Sequence, residues 1–496
     1  MTEEKTSYRQ IMKATSIFGG VQVFNIIISV VKSKFVAVLL GPAGMGIAGL
    51  LTSTTNFIGT ITNLGLNTSA VRNIAGANAT GDDKKISEVA SVLRRLVWLT
   101  GIIGTLVTLV LSPLLSELTF GNRDYTVAFM WISVTLFLTQ ISNGQLVVLQ
   151  GMRKLQFLAK ANLAGTTASL FISVPLYYVW GIDGIVPALI FSSFGTLFFS
   201  WFFASKLKIT SVRINKSLLL SEGGDMIRMG FILSINSLIA VGTSYIVRIF
   251  ISRVGGIEQV GLYNAGFTII NTYVGMVFTA MSTDYFPRLS GIAHDNNIAR
   301  NIINQQAEVA LLILAPILTV FLVFINFVVL LFYSSRFVAV DSMIHWAALG
   351  IFFKAPSWAI AFLFIAKGHT RLFFYNELSA NIYMLAFNII GYKLGGLEGL
   401  GISFFVGYLI YLTQVYLIAR AKFGYFFTKS FQSIFLIQFL LGLSCFVGAR
   451  FLNEIVLYVA GAIVIAGSAL YSFRELDKRI GIKNLIADRL KKNKQI

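Results

Sequence analysis

Apolar residues fill this chain in long stretches, separated by short glycine-rich turns and by loops carrying Lys and Arg. A helix rises 1.5 Å per residue, so about 20 apolar residues cross the hydrocarbon of a bilayer. The pattern holds about 14 stretches of that length, the first over residues 14–40 and the last over 454–473. It predicts an all-α polytopic membrane protein with about 14 transmembrane helices. No loop between the stretches is long enough to fold as a soluble domain.

An even number of crossings puts both termini on one side. With both termini cytoplasmic, alternate loops on that side hold 31 of the 40 Lys and Arg, as the retention of basic residues inside requires. The outer loops hold five, Arg123, Arg253, Arg336, Lys393 and Arg450. This placement accounts for the net charge of +19 without nucleic acid as a partner. The tail from Arg474 to Ile496 sets Ile480, Ile482, Leu485, Ile486 and Leu490 among basic residues. It reads either as an amphipathic helix on an anionic leaflet or as a solvated tail.

Composition narrows the chemistry. The chain is 56% hydrophobic and 12% charged, against about 25% charged in soluble domains. Cys445 is the only cysteine, so one chain forms neither a disulfide nor a thiolate metal site. His294, His345 and His369 lie on different segments without metal-ligand spacing. No nucleotide-binding or acyl-transfer motif is present. We expect no metal, no cofactor and no enzymatic activity.

The chain repeats itself. Gly41-Pro42-Ala43-Gly44-Met45-Gly46 and Gly256-Ile257-Glu258-Gln259-Val260-Gly261 each end the first hairpin of a half, at an offset of 215, and Gly181-Ile182-Asp183-Gly184 is matched by Gly396-Leu397-Glu398-Gly399 at the same offset. Gly151-Met152-Arg153 pairs with Gly368-His369-Thr370 at 217. Each match alone means only a tight turn. Their common order implies two homologous six-helix bundles, residues 1–215 and 216–425, followed by helices 13 and 14 (426–473) and a basic tail (474–496). An offset of six crossings keeps both bundles in one orientation, with a cleft between them where transporters bind cargo.

On the turn Leu40-Gly41-Pro42-Ala43-Gly44-Met45-Gly46, on Phe120-Gly121-Asn122-Arg123-Asp124-Tyr125, and on Ile365-Ala366-Lys367 with Arg371, the chain resembles Wzx-type O-antigen or common-antigen flippases of the multidrug/oligosaccharidyl-lipid/polysaccharide exporter superfamily. The similarity covers roughly the first 420 residues. It implies alternating access, a bacterial inner-membrane location, a polyprenyl-diphosphate-linked oligosaccharide as cargo, and polysaccharide polymerase machinery and membrane lipids as partners of a monomer. The pair of helices beyond twelve departs from many Wzx proteins. It brings the chain nearer the fourteen-span lipid II flippases and keeps the peptidoglycan precursor open as cargo. A cation-coupled multidrug exporter is the further alternative.

Charges within apolar spans are costly, about 2.5–3.5 kcal/mol each at the centre, and are normally turned toward a cavity or a partner. Lys32, Lys34, Arg248 and Lys354 are such residues. They predict a cavity of net positive charge that receives a diphosphate, which Lys and Arg bind through charge-assisted hydrogen bonds. Lys367 and Arg371 stand at the inner mouth. The structural alternatives are snorkelling for Lys32, a bridge from Arg248 to Asp284, and carbonyl capping by Lys354. Asp284, Glu308 and Glu377 are the acidic candidates for ion coupling or for local salt bridges. Gln22, Asn25, Asn56, Thr60, Asn63, Gln140, Asn143, Gln145, Asn236, Ser237, Ser244 and Tyr245 offer hydrogen bonds between helices, the reading that suits most of them, or to sugar.

Overall fold

The computed structural model describes residues 2–207, 209, 210, 212 and 215–481, with side chains from Phe24 onward except at 25, 26, 216–218, 232, 233, 273, 283 and 480. Asn25 and the tail beyond Gly481 therefore lie outside the described parts. Every regular element among the described residues is helical, because lipid offers no partner for a backbone group left open. In chain order the helices are α1 (Thr2–Asn63), α2 (Leu66–Ala79), α3 (Asp83–Val110), α4 (Ser112–Phe120), α5 (Thr126–Gly151), α6 (Leu155–Trp180), α7 (Ile185–Ser205) and α8 (Lys216–Gly255). They continue with α9 (Ile257–Phe267), α10 (Met276–Ile292), α11 (Asn296–Phe332), α12 (Asp341–Ala366), α13 (Thr370–Phe423), α14 (Lys429–Phe451) and α15 (Glu454–Ile480).

Among the described residues, eleven stretches are long and apolar enough to cross a membrane. Three of them are interrupted midway: α1 at Gly41, α6–α7 at Gly181, and α13 at Gly395–Gly396. Counting each of those three as two crossings gives the fourteen that hydropathy predicts.

The backbone carries the repeat in more detail than the side chains do. Gly41 (φ 65°, ψ −170°) and Gly256 (φ 87°, ψ 171°) break the chain alike, as do Gly181 (55°, −128°) and Gly396 (56°, −134°). These left-handed angles suit glycine, which has no Cβ to clash. Helices α5 and α12 begin and end 215 residues apart. Both close on the same turn: Lys154 N–H donates to Leu149 O and Arg153 N–H to Gln150 O, while His369 N–H donates to Phe364 O and Gly368 N–H to Ile365 O. This is the Schellman arrangement. It corrects the offset of 217 taken from Gly151, because the residue equivalent to Gly368 is Arg153, which holds φ 56° itself.

Contacts divide the chain into two compact units. The first comprises Phe24–Asn264 with Phe332–Arg336; the second comprises Ala265–Leu331 and Phe337 onward, with the stretch before Phe24. Within the first, the hairpin tips of the two repeats interlock. A Cβ on Gly46 would lie 2.1 Å from the Ile257 carbonyl oxygen, and one on Gly261 would lie 1.9 Å from that of Pro42. Gly46 is the repeat mate of Gly261, and Pro42 that of Ile257, so the contact is reciprocal, as in an isologous interface. Helix α8 itself packs on α2, α3 and α4. Buried amides and hydroxyls also join helices here: Asn63 donates to Gln140 (2.9 Å) and Gln140 to Thr100 (2.9 Å), tying α1, α5 and α3.

In the second unit α14 and α15 are held to the repeat at both ends. At one end Glu398 of α13 accepts from Trp346 of α12 (3.0 Å) and pairs with Arg450 of α14. At the other, Glu308 of α11 pairs with Arg479 of α15 (2.9 Å), their side chains only 4% and 13% exposed. Gln438, Ser468 and Ser472 form a buried polar link between α14 and α15 themselves.

The interlocked tips have no room for a methyl group. Gly46→Ala and Gly261→Ala should each lower the detergent melting temperature, at a cost of about 1–3 kcal/mol for overpacking. Gly76→Ala, which faces open space, should not. Equal melting curves for all three would refute the seam.

Candidate functional site

Lys354 sits near the middle of α12, and Pro356 follows two residues later. Its ammonium donates to Asn271 Oδ1 (3.1 Å) and lies 5.1 Å from the Tyr408 ring centroid, 5.6 Å from Phe404 and 5.8 Å from Phe278. Ring faces attract a cation without neutralising it. No carboxylate among the described residues forms an ion pair with it. Asn271 is presented by a π-helical turn, Thr268–Val274, the widened geometry often found at functional positions. A Cβ on Gly275 would lie 1.9 Å from the Asn271 carbonyl oxygen, so glycine allows that turn to close. Lys354 thus donates to a side-chain amide rather than to a helix carbonyl.

The first unit carries the other intramembrane cations. Lys32 donates to Ser169 Oγ on α6 (2.8 Å). Arg248 is held at several points: Nε donates to Asn264 Oδ1 (2.8 Å), Nη1 to the Ser244 carbonyl (2.9 Å) and to its hydroxyl, and the guanidinium lies 5.4 Å from the Tyr263 ring centroid. Asn264 is the repeat mate of Gly49, and a Cβ on Gly49 would lie 2.0 Å from its Nδ2. The structure therefore places Arg248 beside the repeat seam. Lys34 is half-buried two residues beyond Lys32. Tyr245 is buried, its hydroxyl bonded to Thr119 (2.7 Å) and its ring stacked on Phe57.

A cavity of about 410 Å³ opens in this unit between α1, α2, α5 and α8. Asn56, Thr60, Thr139, Asn143 and Ser237 line it, with Gly59, Leu136 and Val241 as apolar wall, and no lining residue is charged. A positive cavity was the expectation; this one is neutral. Superposing the repeats by their offset explains the difference. Asn56 corresponds to Asn271 and Thr139 to Lys354, so the amide is kept and the cation is replaced by a hydroxyl.

The acidic candidates have separate surroundings. Asp284 faces Arg288, one turn along the same helix (3.8 Å), and Glu308 is locked to Arg479. Glu377 accepts from Tyr411 and from Asn376 (3.2 Å), and Gln414 binds Asn376 in turn (2.8 Å). Lys367 donates to the Ala293 carbonyl (2.5 Å) at the end of α10 and lies over Phe423, while Arg371 is exposed nearby in sequence. In the adjoining loop, backbone N–H donors from Ile298 and Asn297 hold the Asp295 carboxyl below its usual range. Sequence reasoning missed Asn271 and the aromatic collar of Lys354. The one available signal was the repeat, which pairs Asn271 with Asn56.

Residues 35–342, more than half of the chain, match the polysaccharide biosynthesis protein family. A lipid III flippase of Escherichia coli strain K12 is 19% identical over 386 residues, 77% of this chain and 91% of that protein. Among solved structures, an inward-facing multidrug resistance transporter of the MATE family and MOP superfamily superposes with a TM-score of 0.67 at 16% identity, covering 83% of this chain and 96% of its own. Lipid II flippase MurJ in an inward closed conformation superposes at 0.66 and 12% identity, covering 94% of this chain and 98% of its own. The fold is therefore the one those transporters share.

Exposure of polar groups at membrane depth predicts contact with water. With Cys445→Ser removing the one native thiol, Thr139→Cys and Asn56→Cys should react with a water-soluble maleimide, and Ser173→Cys, which is buried, should not. Equal reactivity at all three positions would sink the cavity.

Proposed function

The chain belongs to the polysaccharide biosynthesis protein family, and we propose that it is a flippase carrying a polyprenyl-diphosphate-linked oligosaccharide from the inner to the outer leaflet of a bacterial inner membrane. Lys354 carries this reading. A mid-span ammonium with an amide and three ring faces around it, and no carboxylate paired to it, attracts an anion whose diphosphate accepts charge-assisted hydrogen bonds. The fold-level likeness to two flippases and an exporter supports alternating access. On this reading the repeats 1–215 and 216–425 rock against each other, the Gly46–Gly261 seam parts when cargo is released, and both termini are cytoplasmic. Moving an anion outward is favoured by about 2.3 kcal/mol per charge per 100 mV of inside-negative potential. Lys32 and Lys34 serve the diphosphate along its path, with Lys367 and Arg371 at entry.

A cation-coupled drug exporter would use carboxylates freed for ions, yet Glu308 is bound to Arg479 and Asp284 faces Arg288. Glu377, in its Tyr411–Asn376 network, is the acidic group best placed to take a coupling cation. A second cargo, the peptidoglycan precursor, is favoured by one observation: the lipid II flippase fold extends over nearly the whole of this chain, α14 and α15 being clamped to the repeat rather than loosely appended.

In proteoliposomes holding a fluorescent polyprenyl-diphosphate saccharide, Lys354→Ala should slow translocation at least tenfold, since a lost charged hydrogen bond is worth about 1.5–3 kcal/mol. Lys354→Arg should retain a measurable fraction. Membrane insertion should be unchanged in both, and a normal rate for Lys354→Ala would overturn the reading.

A further inference from the structure

We infer that the neutral cavity of the first unit is a saccharide subsite, binding uncharged sugar rings of the cargo through Asn56, Thr139, Asn143 and Ser237. The inference rests on the flippase reading above and names which part of the cargo this cavity takes.

Four observations converge on it. Asn56, Thr139 and Ser237 are exposed although they lie within spanning helices, and polar side chains at that depth face water or cargo rather than lipid. Their amides and hydroxyls both donate and accept, the complement of a ring bearing hydroxyls, and the apolar wall of Leu136, Val241 and Gly59 suits its C–H faces. Asn63, Asn67 and Gln140 also line the cavity, and the Asn63–Gln140–Thr100 chain with the bond from Asn67 N–H to Asn63 Oδ1 (3.3 Å) ties that part of the wall together. The volume, about 410 Å³, lies in the range of small-ligand sites.

The repeat supplies the decisive comparison. One ancestral position is Lys354 beside Asn271 in the second repeat and Thr139 beside Asn56 in the first. A lysine in the first cavity would hold phosphate in competition with the second. Replacing it by a hydroxyl removes that competition while keeping an amide that reads sugar. The duplicated sites have thus divided the cargo by charge.

The test compares two fluorescent lipids in proteoliposomes, undecaprenyl diphosphate bearing N-acetylglucosamine and the same lipid without sugar. Wild type should move the sugar-bearing lipid faster. Asn56→Leu, Asn143→Leu and Thr139→Val should each reduce that preference about tenfold, whereas Lys354→Ala slows both lipids and leaves the preference in place. Monodisperse purification and an unchanged melting temperature establish that each variant folds; for a variant that does not, Asn143→Asp, which keeps the shape and adds a charge, should reduce the preference likewise. A wild type without preference, or subsite variants that keep it, overturns the subsite while leaving the flippase reading intact. Transport of neither lipid overturns the flippase reading and the subsite with it.

Discussion

Hydrocarbon offers no hydrogen-bond partner, and that constraint governs the backbone of the described spanning helices. Backbone groups are satisfied within helices, and the chain turns between crossings at glycines whose angles other residues rarely adopt. Side-chain polar groups meet the same requirement in two ways. Some bond to each other across helices, as Asn63, Gln140 and Thr100 do, or pair as Glu308 and Arg479 do. Others, Asn56, Thr139 and Ser237 among them, open into a cavity that Asn63 and Gln140 also line.

One set of backbone bends recurs at an offset of 215 while the side chains around it differ. Positive φ angles recur at residues 41 and 256, 153 and 368, and 181 and 396, where the chain must bend in the same way. Between those fixed points the equivalent positions differ in charge, Thr139 against Lys354, and in helix geometry, since a π turn presents Asn271 where α1 presents Asn56 without one. A shared frame thus carries divergent linings.

The interlocked tips at Gly46 and Gly261 place a mechanical condition on any movement of the repeats. Their contact sets backbone carbonyls against glycines that have no room for a methyl group, with the side chains of Ile257 and Asn264 pressed on Gly46 and Gly49. The clamps at Glu398–Arg450 and Glu308–Arg479 are of the opposite kind, charge-paired and partly or fully buried, and they bind α14 and α15 to the second unit as part of one packed body.

Much of the architecture was legible in the residue order because it depends on local properties. Span length follows from the run of apolar residues, and the breaks at Gly41, Gly181, Gly256 and Gly396 from the φ those residues alone adopt freely, so the fourteen crossings and the offset of 215 were readable directly. Intramembrane Lys32, Lys34, Arg248 and Lys354 were identifiable because a charge in an apolar run is conspicuous. Their partners were not, nor those of the acidic candidates, since the answer lies with distant residues: Ser169 is 137 positions from Lys32, Asn271 is 83 from Lys354, and Arg479 is 171 from Glu308. Folding alone brought Asn56 and Thr139 to one open wall while closing Asn63 and Gln140 on each other. Hydrophobic length and backbone angle belong to a segment, whereas satisfaction of a polar group belongs to a pair, and pairs exist only after the helices have packed.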